Sequence, residues 1–255
     1  MEKCCLLVST NESYQRGEED IEILTGIKVS HSTLQRMVER QEWSEEKMSE
    51  EIEEMSIDGG MVRLRTEKGE ESEWREYKAI NANNQLNLAF FKDNEGLLSW
   101  VNSQPLGKPL TCIGDGHDGV WNIFAEVGRE EEREEILDWY HLMENLYKVT
   151  EEKGEINQVK NHLWHGRVKE ALAVLKKSGL RGGERFSQYV KKHEKRIINY
   201  GQRQSEGGTI GSGAVESLVK QIGARVKISG AQWSKENIPQ ILRLRCAYLN
   251  GTLTG

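Results

Sequence analysis

The sequence predicts an α/β fold, on three observations. Alternating runs rich in β-formers begin at Met55, and the hydrophobic period before them is helical. A compact apolar run, LTCIGDG, ends in Gly-Asp-Gly and has the pattern of a buried parallel strand. Most of the chain beyond residue 129 has the period of amphipathic helices.

The N-terminal part predicts two short helices. In SYQRGEEDIEILTG, Ile21 and Leu24 precede a closing Gly26, and in SHSTLQRMVERQ, Ser30 caps a face of Leu34, Met37 and Val38. Helix, Gly-containing turn, helix is the outline of a helix-turn-helix and equally of any αα-hairpin. The acidic EWSEEKMSEEIEEM is expected to be a solvated helix or a linker.

Three antiparallel strands are then expected, in MSIDGGMVRLRTE, SEWREYKAINA and QLNLAFFK, separated by the polar turns EKGEE and NANN. DNEGLLSWVNSQ comes next as a short amphipathic helix, and LTCIGDG as the fourth strand. REEEREEILDWYHLMENLYKV is expected as one long helix with Ile136, Tyr140, Met143 and Leu146–Tyr147 along a stripe. Basic helices come after it in INQVKNHLWHGRVKEALAVLKKSG and ERFSQYVKKHEKRIINYGQ. A Gly-rich loop then leads into the helix of GAVESLVKQIGARVK, and a last helix has Pro239 near its start. The expected division is a helical segment over 1–45, a core over 46–128 and 208–255, and an all-helical insertion over 129–207.

Composition narrows the function. With 255 residues, 36% apolar and 30% charged, the chain can build a core and is not a disordered tail. No apolar run approaches the roughly 20 residues that cross a bilayer. The stretch in MEKCCLLVSTNES is too short for a signal-peptide core, so a cytoplasmic protein is expected. Cys4, Cys5, Cys112 and Cys246 form no CxxC pair, which argues against a zinc knuckle. The net charge of −6 hides a split. Residues 1–155 hold 17 Lys and Arg against 35 Asp and Glu, a balance of −18, whereas residues 156–255 hold 18 against 6, a balance of +12. A basic half favours a polyanionic partner over an acidic small molecule, although the two parts also attract each other.

Three acidic residues form the candidate site. Asp58 lies in an apolar strand and is followed by two glycines that leave space beside it; a strand-end turn is the simpler explanation of the motif. Asp115 comes directly after the fourth strand, where acids commonly line crevices, but Asp-Gly is also a turn signal. Asp118 competes with it, and His117 lies in the same loop. Glu216 stands on the first turns of a helix, behind a Gly-rich approach that admits a phosphate backbone. Two strand Asp residues and a helix Glu can hold two Mg²⁺ ions, with Mn²⁺ as the alternative. A metal pair ~4 Å apart activates the attacking oxygen and stabilises the leaving oxygen of a displacement at phosphorus.

Asp138 and His141, spaced i,i+3 in DWYH, are candidates for supporting contacts, or members of a solvated helix with a half-buried His. Trp121, Trp139, Trp164 and Trp233 are expected as core anchors rather than base-stacking wedges. Lys191, Lys192, Lys195 and Arg196 form either a solvated face or a phosphate contact. Lys220, Arg225 and Lys227, just after Glu216, are further candidate DNA contacts.

SIDGGMVRLR, CIGDGHDGVWNIF, ILDWYHLMENLYK, GSGAVESLVKQIGARVKISGAQW and ILRLRCAYLNG, in this order, resemble bacterial insertion-sequence transposases of the ISKra type. The resemblance runs from about residue 5 to the C-terminus. It implies an RNase H-like mixed sheet, with the helical insertion between the fourth strand and the Glu-bearing helix. It also implies a DDE triad at Asp58, Asp115 and Glu216, and an Asp-x-x-His signature at Asp138 and His141. The implied function is Mg²⁺-dependent cleavage and strand transfer on double-stranded DNA, by a homo-oligomer assembled on element ends and target. Family members carry more residues before this point, so an N-terminally shortened copy is expected. The alternatives are an RNase H-like nuclease that cuts without joining, and a catalytically silent DNA-binding remnant.

Overall fold

A computed structural model describes residues 1–44, 46–149, 153–179 and 182–253 of the chain. Parts of the expected N-terminal segment and insertion (residues 45, 150–152 and 180–181) lie outside it. The chain is α/β, with five strands and twelve α-helices among the described residues. It forms two compact units, residues 1–106 with 213–255, and residues 107–212.

The first unit opens with helices α1 (Glu2–Asn11), α2 (Tyr14–Thr25) and α3 (His31–Arg40). The side chains of Ser13 and Ser30 cap α2 and α3, and Gly26 ends α2 in the left-handed region. Cys5, Ile21 and Leu34 meet where the three helices pack. α1, built from CCLLVST, was not among the expected elements. Among its described residues the acidic stretch after α3 forms no helix, and its end, from Ile52, already belongs to the first strand.

Strands β1 (Ile52–Arg63), β2 (Trp74–Ala82) and β3 (Leu86–Phe91) form an antiparallel meander, as the alternation predicts. Asn83 and Asn84 both take positive φ, 51° and 54°, and Gln85 N–H donates to the Ala82 carbonyl at 2.9 Å. These are the features of a type I′ hairpin turn, and they account for the Asn pair. Asn83 also fixes the entry to β1. Its side-chain oxygen accepts the Glu53 and Glu54 N–H groups at 2.9 and 3.1 Å.

Asp58 pairs with Ala79 across the ladder, and Ala79 with Ala89; Gly60 pairs with Tyr77, and Tyr77 with Phe91. Cross-strand partners point to one side, so these residues share a sheet face with Val62. Helices α11 (Gly213–Val226) and α12 (Ile238–Leu249) cover that face. Val215, Leu218 and Ile222 of α11 and Ile241 and Leu242 of α12 pack with Val62, Leu64, Tyr77 and Ala79 in one buried cluster. The Trp233 segment runs beside the end of β1, with Trp233 N–H on the Arg63 carbonyl at 3.0 Å. Helix α4 (Asn94–Ser103) is capped by Asp93.

The second unit contains β4 (Leu106–Gly114), α5 (Asp118–Ala125), β5 (Arg133–Leu137), and then α6 (Trp139–Tyr147), α7 (Lys153–Trp164), α8 (Val168–Ser178), α9 (Gly183–Lys192) and α10 (Tyr200–Ser205). β4 and β5 are parallel, in register from Leu110–Arg133 to Gly114–Leu137. α5 connects them and buries Val120, Trp121, Ile123 and Phe124.

β5 corrects the long helix expected between 129 and 149, and with it the all-helical character of the 129–207 segment. Only Ile136 and Leu137 of β5 are buried. Its charged positions are satisfied by partners distant in sequence: Glu134 by Arg203 at 2.9 Å, and Glu135 by Arg196 at 2.7 Å. Tertiary pairing thus overrides the helix propensity of Glu and Arg. The element order β-β-β-α-β-α-β is compatible with an RNase H-like fold. No helix among the described residues is long and apolar enough to cross a membrane.

Candidate functional site

In the first unit, Asp58 is half-buried in the middle of β1, on the face that α11 covers. Its Oδ1 accepts the Gly59 N–H at 2.6 Å. A carboxylate here lies between apolar neighbours, not at a strand end, so the turn explanation of SIDGG does not hold. The expected space beside Asp58 is also absent at the glycines. A Cβ on Gly60 would lie 2.1 Å from the Tyr77 ring, and one on Gly59 2.3 Å from a Glu76 carboxylate oxygen. The glycines are needed because these side chains cross over the β1 backbone. Tyr77 donates to the Val219 carbonyl of α11 at 3.4 Å, tying β2 to that helix. Burial first, and then the charges of Cys246 and Asp58, raise its hydroxyl well above the usual phenol range.

Glu216 lies in the first turn of α11, where a carboxylate favours the helix dipole. Lys220, one turn on and exposed, approaches it at 3.8 Å. Lys227 is exposed as well.

Arg225 differs from the expectation of a DNA contact. It is 2% exposed and donates to the Ser9 carbonyl at 2.7 Å. Its guanidinium lies 5.2 Å from the Tyr14 ring and 5.0 Å from the Trp233 ring. Burial, opposed by the Tyr14 charge, pulls its pKa down to about 10. Position 225 is one of the inward positions of α11, beside Ile222 and Val226, so it cannot serve a phosphate outside. Arg245 acts in parallel from α12, donating to Asn11 Oδ1 at 2.6 Å and to the Thr10 carbonyl at 3.4 Å. Two cations thus meet the carbonyl end of α1, where the helix dipole is negative.

In the second unit, Asp115 and Asp138 both emerge at the carboxyl end of the parallel pair. Asp138 N–H donates to the Gly114 carbonyl at 2.8 Å, fixing their separation across the two strands. Asp115 is half-buried, and its Oδ1 accepts the His117 N–H at 2.8 Å in a tight turn. Gly116 takes φ +95°, and a Cβ there would lie 2.5 Å from the Tyr189 hydroxyl. That hydroxyl donates to the Asp115 carbonyl at 3.4 Å.

Asp118, the competitor of Asp115, is at the surface in the first turn of α5 and pairs with Lys192. That partner, together with His193 and His117, holds its carboxyl below the usual carboxylate range. His117 caps α5, accepting the Gly119 N–H at 3.2 Å. Lys192 is therefore engaged by Asp118. Arg196 is engaged by Glu135 and lies 4.1 Å over the Trp121 ring. Of the expected basic cluster, Lys191 and Lys195 are the exposed members with no acid on them among the described residues of the second unit.

Asp138 is fully buried and is the N-cap of α6. Its Oδ1 accepts the His141 N–H at 2.8 Å, and its Oδ2 accepts the Ser212 N–H and, at 2.6 Å, the Ser212 hydroxyl. Burial raises its pKa, but the His141 imidazole first, and then the Ser212 hydroxyl and the two N–H groups, outweigh it and hold the carboxyl below its ordinary value. His141 Nδ1 stands 3.5 Å from Asp138 Oδ1. An oxygen and an imidazole nitrogen at this spacing are ligand types a metal ion accepts. With three hydrogen bonds and the His141 imidazole on it, however, Asp138 mainly fixes its surroundings.

Sequence reasoning missed Ser212 and Tyr189. A Ser directly before a helix is a capping signal, and GSGAVE carries it. Nothing in YVKKHEK marks Tyr189 as the side chain that reaches the Asp115 turn. Trp121, Trp139 and Trp233 are buried as core anchors, whereas Trp164 is half-buried. Cys4, Cys5, Cys112 and Cys246 are all free thiols. The chain matches no model of a known protein family, and no curated protein matches it.

Proposed function

We propose that this chain is the catalytic part of a DDE transposase that cleaves and joins DNA at insertion-sequence ends. The observation that carries the reading is the placement of Asp58. A carboxylate in mid-strand, on the sheet face covered by the helix that bears Glu216, is costly to keep unless it has a use there. The ordered motifs, the strand order and the basic second part of the chain support it. Asp115, at the carboxyl end of β4, remains the second acid of the proposed triad, since Asp118 is engaged by Lys192 at the surface.

In this reading Asp58, Asp115 and Glu216 would hold Mg²⁺, the hard cation that an all-carboxylate donor set suits. Bound Mg²⁺ supplies positive charge to the attacking and leaving oxygens of a displacement at phosphorus. Water first attacks a phosphodiester and breaks its P–O3′ bond, which leaves a 5′-phosphate and a free 3′-OH; that 3′-OH then attacks a target phosphodiester and displaces the target strand's own 3′-OH. Lys191, Lys195, Lys220 and Lys227 position the phosphate backbone. Asp138 orients rather than reacts. It holds Ser212, and α11 with Glu216 begins at the next residue.

The test is incubation of the full chain with double-stranded DNA carrying element ends, with and without Mg²⁺. Metal-dependent cleavage and joining are expected, and both are abolished by Asp58→Asn and by Glu216→Gln. Cleavage without joining would favour an RNase H-like nuclease. DNA binding that survives both substitutions, with no cleavage by the unaltered chain, would favour a silent DNA-binding protein.

A further inference from the structure

The turn that carries Asp115 is held by a side chain of α9, 74 positions further along the chain. Tyr189 is half-buried and reaches the turn in two ways. Its hydroxyl donates to the Asp115 carbonyl at 3.4 Å. It also occupies the place of a Gly116 Cβ, which would lie 2.5 Å from the hydroxyl and 3.1 Å from the ring. Gly116 has φ +95°, so the close approach and the left-handed backbone fall on one residue.

Tyr189 is itself fixed. Phe186, one turn earlier on α9, stacks on it at 6.2 Å and 28°. His193 lies 4.8 Å from its ring and 6.0 Å from the Trp121 ring of α5. The Asn145 side chain hydrogen-bonds the Tyr189 hydroxyl, and its Nδ2 donates to the His141 carbonyl at 2.9 Å. The turn is otherwise at the surface, with His117 and Asp118 exposed. Exposed turns are among the softest parts of a fold. Asp115 Oδ1 accepts the His117 N–H at 2.8 Å, so the direction of the carboxylate follows the backbone of residues 115–117. A brace on that backbone is therefore a brace on the carboxylate. An acid that shares a metal ion must be placed to within about 0.5 Å.

We propose that Tyr189 is a positioning residue for Asp115, acting through the backbone of the 115–117 turn. The proposal rests on the role given above to Asp115 and goes beyond it, because it gives the helical segment a part in placing a metal ligand. The ring against Gly116 is the larger contact, since 3.4 Å is long for an O–H donor.

The test is Mn²⁺ binding to the full chain without DNA, followed by electron paramagnetic resonance of the free ion. Hydrogen exchange of the Gly116 and His117 amides is measured alongside. Tyr189→Leu should weaken Mn²⁺ binding roughly tenfold or more, as loss of supporting contacts does at metal sites, and should speed exchange in the turn. Tyr189→Phe keeps the ring and should stay within about threefold of the parent. Val190 is buried on the same helix, and Val190→Ala should cost stability yet leave Mn²⁺ binding unchanged where both chains are folded. Parent-like Mn²⁺ binding or parent-like exchange in Tyr189→Leu overturns the proposal, as does an equal loss of binding in Val190→Ala. Asp115→Asn separates the two readings. If it loses Mn²⁺ binding and Tyr189→Leu does not, the triad stands and the positioning role falls. If it binds Mn²⁺ as the parent does, the triad falls, and faster exchange in Tyr189→Leu would still show the brace.

Discussion

The Asp138 carboxylate accepts both the backbone N–H and the hydroxyl of Ser212, while its other oxygen caps α6. One buried acid thereby joins the end of β5, the start of α6 and the residue that precedes α11.

Removing that carboxylate should be costly. Asp138→Asn keeps the volume but weakens the charge-assisted bonds, and should lower the unfolding free energy by about 1.5–3 kcal/mol. Ser212→Ala removes only the hydroxyl and should cost about 1 kcal/mol. Because the folded carboxyl titrates below its ordinary 3.8, its contribution is complete above that pH. It is lost only as the pH falls further. Urea unfolding at pH 7 and at pH 3 checks both points; equal stability of Asp138→Asn and the parent at pH 7 would remove the carboxylate from this role.

Arg225 yields a prediction opposite to that for a surface cation. Arg225→Ala should cost about 2–3 kcal/mol, by leaving the Ser9 carbonyl without its charged donor and two rings without their cation. Hydrogen exchange should speed up first in α1. Lysine should not rescue, since it lacks the planar fork that sits between the rings. An unchanged exchange pattern, with weaker DNA binding instead, would place Arg225 at the surface after all.

Gly60 and Tyr77 should be energetically coupled. Gly60→Ala forces a methyl into the Tyr77 ring and should destabilise by about 1–3 kcal/mol. In a Tyr77→Leu background the same alanine should cost clearly less, giving a non-additive double-mutant cycle. Additive costs would mean that the ring does not cross the strand.

His193 should make stability depend on pH in a defined window. Burial first, then Arg196 and Lys192, depress its pKa to about 4, against the smaller opposing pull of Asp118 and Asp115. It also packs against the Trp121 and Tyr189 rings. The unfolded chain takes up a proton near 6.5 and the folded one does not until about 4, so the stabilisation is complete above 6.5 and is lost between 6.5 and 4. The effect is up to about 3 kcal/mol. His193→Gln should flatten that part of the curve, and an imidazole NMR titration near 6.5 in the folded chain would refute it.

Where the alternation is clean, the sheet is legible in the residues themselves. MSIDGGMVRLRTE, SEWREYKAINA and QLNLAFFK each alternate because one face packs on helices, and NANN is a turn because Asn tolerates positive φ. β5 was not legible. REEIL is locally a helix sequence, and only Arg196 and Arg203, sixty or more positions away, make it a strand. The same limit applies to the site. Asp58 and Glu216 stand out as acids in apolar or Gly-rich settings, and the placement of Asp58 on the sheet face that α11 covers is a product of the register. The inward turn of Arg225 was hidden, because a basic run on a helix looks the same whichever side it shows. The residue spacing that buries it, beside Ile222 and Val226, was readable but was outweighed by charge.

The division of the chain has a consequence for its birth. The first unit closes its sheet with α11 and α12, which are translated only after residues 107–212. While the ribosome makes that intervening stretch, Val62, Tyr77 and Ala79 have no helix to cover them. The second unit, continuous in sequence, can condense first. Between those two moments the nascent meander is a sticky surface, and chaperone demand should peak there rather than at release.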